Sequence, residues 1–191
     1  MLFRSLIDDT LSALKSNSDV LVFDNVEADP SLKTLMKCVE IGSDFKATGV
    51  IGFGGGSSMD VAKLTALLIG SNENIHEAWG VANAKGPRLP LVLYPTTSGT
   101  GSEVTPISII TQDDQEKKGV SSPIILPDLA ILDPLLTLGL PPHTTAATGI
   151  DAMVHAIESY ASKGKNNNLI SKSLAKEALN LIGSSISIDR K

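Results

Sequence analysis

One stretch organises this chain: Val50-Ile51-Gly52-Phe53-Gly54-Gly55-Gly56-Ser57-Ser58-Met59-Asp60-Val61-Ala62-Lys63. A short apolar run, a glycine-rich turn and then apolar or small residues at helical spacing predict a strand, a tight loop and a helix. Glycines let backbone N–H groups approach an anion, and the positive end of the helix dipole adds to the attraction. Ser57 and Asp60 have capping-box spacing, which predicts a helix start at Ser57. A flexible glycine linker is the alternative reading.

Strands and helices alternate on both sides of this stretch. Helices are predicted at 1–15, 31–42 and 57–69, strands at 20–23, 91–94 and 129–132, and a hairpin at 106–111 and 119–126. This alternation is typical of a parallel α/β sheet, whose ligands bind at the carboxyl ends of the strands. A second loop of small residues, Pro95–Glu103, follows the strand at 91–94, so both loops are expected at that edge.

The composition changes after Asp133-Pro134. The residues beyond Pro141-Pro142 have helical periodicity and no strand pattern, with helices predicted at about 143–161 and 169–183. We therefore expect an α/β domain at residues 1–140 and the beginning of an all-helical domain at 141–191.

The amino-acid composition argues against several classes of partner and setting for this protein. The chain has 191 residues, a net charge of −5, 42% hydrophobic residues and one cysteine. A negative overall field does not favour nucleic acid or an anionic membrane surface as a partner. One cysteine allows no intrachain disulfide framework, and the sequence has neither a long apolar span nor a signal-peptide pattern. We expect a cytoplasmic protein with no nucleic-acid or membrane partner.

Asp151 and His155 form a candidate metal-binding pair. Residues four apart on a helix share one face, so a carboxylate oxygen and an imidazole nitrogen can reach one divalent cation. This mixed ligand set suits Fe²⁺, Zn²⁺ or Mn²⁺ better than Ca²⁺. An ordinary helical Asp/His pair, or a core histidine, is the alternative.

Four sequence blocks occur in order along the chain. They are Gly54-Gly55-Gly56-Ser57-x-x-Asp60-x-Ala62-Lys63, Pro95-Thr96-Thr97-x-Gly99-Thr100-Gly101-Ser102-Glu103-Val104-Thr105, Pro127-Asp128-x-Ala130-Ile131-x-Asp133-Pro134 and Ala146-Ala147-Thr148-Gly149-x-Asp151-Ala152-x-x-His155-Ala156-x-Glu158. Together they resemble the iron-containing (group III) alcohol dehydrogenases. The resemblance implies a Rossmann-like parallel-sheet dinucleotide-binding domain followed by an all-α metal-binding domain, as in dehydroquinate synthase.

The resemblance also implies roles for individual residues and an activity. The implied contacts to NAD or NADP are Gly55, Gly56 and Ser57 at the pyrophosphate, Asp60 beside the nicotinamide, Thr96, Thr97 and Thr100 along the dinucleotide, and Lys118 at a ribose. Asp151 and His155 are implied as the first two of four ligands to Fe²⁺, with Zn²⁺ as the alternative. The metal then acts as a Lewis acid in hydride transfer between a small alcohol or aldehyde and the nicotinamide, with no separate catalytic side chain.

The chain also departs from the family pattern. The family's first strand and glycine loop have no counterpart here, Asp29-Pro30-Ser31 replaces Asn-Pro-Thr, and no histidine follows His155. We therefore expect a fragment with little or no turnover, and its possible homodimerisation stays open. The alternatives are a glycerol or sugar-phosphate dehydrogenase of the same fold and a non-catalytic nucleotide-binding module.

Overall fold

The computed structural model describes residues 2–186. The described helices are α1 (Leu2–Lys15), α2 (Leu32–Asp44), α3 (Gly56–Ser71), α4 (Ile75–Ala78), α5 (Pro142–Ala161) and α6 (Leu169–Ile186). The described strands are β1 (Val50–Gly54), β2 (Gly80–Val81), β3 (Leu91–Pro95), β4 (Ile107–Thr111), β5 (Lys117–Ser121) and β6 (Leu129–Ala130). Short 3₁₀ turns cover Ser102–Val104, Pro123–Ile125 and Pro134–Thr137.

The strands form two three-stranded sheets in the described chain. The first has the order β1-β3-β6, and both of its strand pairs are parallel. The second has the order β2-β5-β4, in which β4 and β5 form the predicted antiparallel hairpin. The expected α/β fold with a parallel sheet is therefore confirmed. In the first sheet Gly54 lies opposite Pro95, so the two glycine-containing loops start side by side at its carboxyl edge.

Helix α3 packs against the first sheet along much of its length. Its residues from Met59 to Leu68, apart from Asp60, are buried, and burial of each large apolar side chain contributes about 1.5–3 kcal/mol. Gly52 of β1 allows this close approach. A Cβ atom there would lie 2.6 Å from Leu93 Cδ2 and 2.8 Å from Ala62 Cβ, so a larger residue would push the helix off the sheet.

The prediction of a strand at 20–23 is wrong. Among the described residues β1 pairs with β3 alone, and residues 20–23 join no sheet. Leu21 and Val22 are 45% and 46% exposed, and a cavity of about 420 Å³ is lined by this segment and by β1. A short apolar run is compatible with a strand, but strand formation also needs backbone partners that a sequence pattern does not supply.

The described chain divides into two compact units. One contains the chain up to Thr96 together with Ser102–Leu136, and the other contains Thr97–Gly101 and the chain from Thr137 onward. The assignment of nucleotide binding to 1–140 and metal binding to 141–191 stays a prediction, and residue 1 and residues 187–191 of these ranges lie outside the described chain. No helix described here combines the length and apolar character needed to cross a bilayer.

Candidate functional site

The first glycine loop joins β1 directly to α3. Gly54 ends the strand at φ +145°, and a Cβ atom there would lie 2.6 Å from Ser58 Oγ, so this position requires glycine. Gly55 is the N-cap residue, and among the described residues no side chain caps the helix. Met59 N–H donates to Gly55 O at 3.2 Å. The amides of Gly56, Ser57 and Ser58, which precede it, lack intrahelical acceptors at the positive end of the dipole.

The predicted capping box of Ser57 and Asp60 is wrong. Helix α3 begins at Gly56, so Ser57 already lies within its first turn. The Asp60 carboxylate instead accepts hydrogen bonds from Ser102 Oγ at 2.8 Å and from the backbone N–H of Ile109 at 3.0 Å. The side chains of Ser57 and Asp60 therefore do not cap the first turn of α3.

The second loop begins beside the first. The backbone N–H of Thr96 donates to Gly54 O at 2.9 Å, directly after the last β1–β3 pair. Thr96 is 1% exposed, and its Oγ1 has no hydrogen-bond partner in the described chain. A buried hydroxyl without a partner costs free energy, and the contact of Thr96 with a dinucleotide stays a prediction.

Thr97 and Thr100 lie in the other compact unit, as residues of its Thr97–Gly101 segment. Thr97 Oγ1 is buried without a partner among the described residues, whereas Thr100 is exposed. Gly99 packs against the backbone of α5: a Cβ atom at Gly99 would lie 2.6 Å from Thr148 O and 2.7 Å from Thr148 Cβ. This contact seats the segment against the helix that carries the predicted metal ligands.

Asp151 and His155 face each other on α5. Asp151 Oδ1 and His155 Nε2 are 3.8 Å apart, and the side chains are 46% and 52% exposed. Their separation and accessibility fit a shared divalent cation. No group of three or more His, Cys, Asp or Glu suited to a metal occurs within the described residues. This unit thus contributes two candidate ligands.

Lys118 lies on β5, away from both loops in sequence and within the hairpin sheet. Its ammonium lies 3.4 Å from Glu116 Oε2, and the side chain is 40% exposed. These contacts do not bring Lys118 to either loop, and its role at a ribose stays a prediction.

A buried charged cluster lies beside Asp60. Lys63 is fully buried, and its Nζ donates to Ser102 Oγ at 2.8 Å, Ile107 O at 2.7 Å and Thr105 Oγ1 at 3.4 Å. Asp60 Oδ1 lies 3.7 Å from Lys63 Nζ. Burial raises the pKa of Asp60 and lowers the pKa of Lys63, while the opposite charge of the partner works against both changes.

Sequence reasoning assigned no role to Lys63 or Ser102. One signal was available: Lys63 stands among consecutive apolar positions of α3, where an unpaired charge would not be tolerated. Its partners lie 39 to 44 residues further along the chain, and no local pattern identifies them.

The sequence profile of one family, described as iron-containing alcohol dehydrogenase, matches residues 1–134. The chain belongs to this family. The resemblance found in the four sequence blocks is thereby confirmed, although Asp151 and His155 lie beyond the matched range.

Individual relatives match this chain beyond the range of the family profile. The chain is 43% identical over 185 residues to long-chain-alcohol dehydrogenase 1 of Geobacillus thermodenitrificans, and the match covers 95% of this chain and 46% of that protein. It is 40% identical over 166 residues to sulfoacetaldehyde reductase of Bilophila wadsworthia, covering 86% of this chain and 42% of that protein. The chain thus spans less than half the length of these two relatives.

Solved structures show the same iron-containing alcohol dehydrogenase fold. Alcohol dehydrogenase from Oenococcus oeni superposes with a TM-score of 0.89 at 35% identity, over 94% of this chain and 47% of that one. Sulfoacetaldehyde reductase from Bifidobacterium kashiwanohense, in complex with NAD⁺, superposes with a TM-score of 0.82 at 33% identity, over 96% of this chain and 51% of that one.

Proposed function

We propose that this chain carries the dinucleotide-binding part of an NAD(H)-dependent alcohol dehydrogenase. The observation that carries the proposal is the N-terminus of α3, which no described side chain caps and which lies at the carboxyl edge of a parallel sheet. Such a helix end attracts a pyrophosphate through its backbone amides and its dipole. Family membership and the NAD⁺ complex of a relative support the choice of a dinucleotide over other anions.

In this proposal each loop has its own task. The amides around Gly55, Gly56 and Ser57 bind the pyrophosphate, since these groups need no side chain to reach it. Thr96 and Thr97 hold hydroxyl oxygens that are buried without partners in the described chain, and these hydroxyls hydrogen-bond the cofactor once it is bound. Thr100 and Lys118 complete the set by family resemblance.

Asp151 and His155 would hold the metal, for which iron is the family expectation and zinc the alternative. When bound, such a cation supplies Lewis-acid polarisation of the alcohol oxygen. The net reaction takes a hydride from the alcohol carbon to C4 of the nicotinamide and releases a proton, giving an aldehyde or ketone. We expect low turnover from this chain, because two ligands hold a metal weakly and the described residues offer no third.

A titration with NADH tests the proposal. Ser57→Asp adds a carboxylate to the first turn of α3, where acidic residues favour the helix itself but repel a pyrophosphate. Repulsion of about 1–3 kcal/mol at about 5 Å predicts a loss of NADH affinity of about 5- to 150-fold. Ser57→Ala keeps the backbone amides that are proposed to bind the pyrophosphate. We therefore expect its NADH affinity to stay within about threefold of the wild type, a change of less than about 0.7 kcal/mol.

The control carries the same added charge at another site. Asn17→Asp changes an exposed residue just beyond α1, and we expect wild-type affinity. If Ser57→Asp binds NADH as tightly as Asn17→Asp, the N-terminus of α3 is not the pyrophosphate site. NADPH in a parallel titration decides which dinucleotide is preferred.

A non-catalytic nucleotide-binding module is the second candidate. It is favoured by one observation, the presence of two rather than three clustered metal-ligating groups among the described residues. Two results together support the module: NADH affinity that is the same with and without Fe²⁺ or Zn²⁺, and no alcohol oxidation after the parts of a relative that this chain does not span are supplied in trans. Oxidation of glycerol or a sugar phosphate in preference to simple alcohols would instead support the alternative dehydrogenase of this fold.

A further inference from the structure

The residues on either side of segment 97–101, Thr96 and Ser102, both make hydrogen bonds within the first unit. At the start, the backbone N–H of Thr96 donates to Gly54 O at 2.9 Å. At the far end, Ser102 follows Gly101 directly and its hydroxyl lies between two charged groups of α3, accepting from Lys63 Nζ and donating to Asp60 Oδ1, each at 2.8 Å. Thr96 is therefore held at β1, and Ser102 is held at α3.

A lysine is an unexpected choice for this place if only stability mattered. Lys63 is fully buried in a helix whose neighbouring residues are apolar, and a methionine of similar length would fill the same space without the cost of desolvating a charge. An ammonium differs by requiring acceptors in defined directions. Here it has Ser102 Oγ, Thr105 Oγ1 and Ile107 O as acceptors, which all lie at the end of the second loop or in the residues just after it.

The carboxylate of Asp60 completes the arrangement. Ser102 Oγ bonds Oδ1 and the Ile109 amide bonds Oδ2, so both carboxylate oxygens are oriented by residues of the segment 102–109. The side chain keeps 18% exposure. Loss of the Lys63 ammonium would leave this carboxylate without its nearest positive charge and would free the segment to shift.

We propose that Lys63 is a positioning residue for the dinucleotide, acting through Ser102 and Asp60 to fix the end of the second glycine loop against α3. This inference rests on the proposed function for its ligand. Lys63 is fully buried and is not proposed to touch the cofactor itself. Its effect on binding comes from the place at which it holds the loop.

The test compares Lys63→Met with Ser108→Ala. Lys63→Met keeps the side-chain length and removes the ammonium, and we expect at least a tenfold loss of NADH affinity. Ser108 is the matched control, because its hydroxyl bonds the backbone oxygen of Asp60 at 2.9 Å and joins the same two segments without touching either charged group. For Ser108→Ala we expect affinity within about threefold of the wild type.

Amide hydrogen exchange of Ile109 supplies a readout that needs no cofactor. In Lys63→Met this amide, which donates to Asp60 Oδ2, is expected to exchange at least tenfold faster, with protection in the β1–β3 pair unchanged. If Ile109 exchange is unchanged in Lys63→Met, the positioning proposal is wrong, whether or not the wild type binds NADH. If the wild type binds no NADH, the proposed function is wrong, and this result is independent of the exchange measurement. Faster exchange with wild-type NADH affinity also overturns the positioning proposal.

A second variant serves if Lys63→Met does not fold. Ser102→Ala retains the ammonium and removes the hydroxyl between Lys63 and Asp60. We expect the same two effects at smaller size, about three- to tenfold. Wild-type affinity and wild-type Ile109 exchange in Ser102→Ala contradict the proposal.

Discussion

Asp128→Asn probes the contact that ties the start of β3 to the start of β6. Arg88 Nη1 and Nη2 donate to the two carboxylate oxygens at 2.7 and 2.9 Å, and the backbone N–H of Leu91 donates to Oδ2 at 2.8 Å. The hydrogen bonds from Arg88, and then that from Leu91, lower the pKa of Asp128 from 3.8 to about 2. Asparagine has nearly the same shape but no charge, and its amide nitrogen cannot accept a hydrogen bond, so it removes the charge together with the hydrogen bonding at one of the two oxygens.

The size of the effect follows from the pKa and from exposure. A fall from 3.8 to about 2 corresponds to about 2.4 kcal/mol without screening. The Asp128 side chain is 57% exposed, and solvent screening reduces the contribution to about 1 kcal/mol. The pKa of Asp128 is lower in the folded state than in the unfolded state. This contribution to stability is therefore fully present above about pH 4 and is lost as the pH falls toward 2.

Urea unfolding followed by tryptophan fluorescence measures the change. Trp79 is the only tryptophan of the chain and packs against the core of the unit that contains Asp128. At pH 7 we expect Asp128→Asn to lower the free energy of unfolding by about 1 kcal/mol. The difference from the wild type should narrow between pH 4 and pH 2. An equal difference at pH 7 and pH 2.5 would show that the charged pairing is not its cause.

An exposed ion pair provides the control. Asp29 lies 2.6 Å from Lys117 Nζ, and both side chains are more than half exposed. Asp29 has φ +53°, a conformation that asparagine also tolerates. Asp29→Asn is expected to change the free energy of unfolding by less than about 0.5 kcal/mol. A loss as large as that of Asp128→Asn would refute the reasoning from geometry and burial.

Three further predictions concern the two loops and the metal pair. Thr96→Val replaces a buried hydroxyl that lacks a partner in the described chain. We therefore expect unchanged or higher thermal stability but weaker NADH binding. Stronger NADH binding would exclude the threonine as a ligand contact. Gly99→Ala forces a Cβ to within 2.6 Å of Thr148 O, and a fall in helix stability of about 1–3 kcal/mol is expected by thermal circular dichroism. His155→Ala and Asp151→Ala should each remove Co²⁺ binding monitored by visible absorption, and retention of that signal in both variants would place the metal elsewhere.

The positions of most helices could be predicted from local sequence patterns. Five of the described helices fall within three residues of the expected ranges, because a helix satisfies its own backbone hydrogen bonds and its apolar spacing and boundary residues are visible in sequence. The strand at 91–94 and the first hairpin strand were also correctly expected, whereas the second hairpin strand covers Lys117–Ser121 and residues 123–125 of its expected range form a 3₁₀ turn. The predicted strand at 20–23 was wrong, because a strand needs hydrogen-bond partners on a neighbouring strand. Among the described residues β1 pairs with β3 alone, so segment 20–23 has no such neighbour.

For the candidate site, sequence alone determined the residue types and their order: the glycines before α3, the threonines after β3, and the Asp151–His155 spacing on one helix face. Tertiary structure decided how two of these features are used. It directed Asp60 away from the helix cap to Ser102 and Ile109, and it surrounded the Lys63 ammonium with oxygen atoms from a segment about 40 residues away. Hydrogen bonds of buried charges depend on which groups folding brings within about 3 Å, and that distance is not encoded in local periodicity.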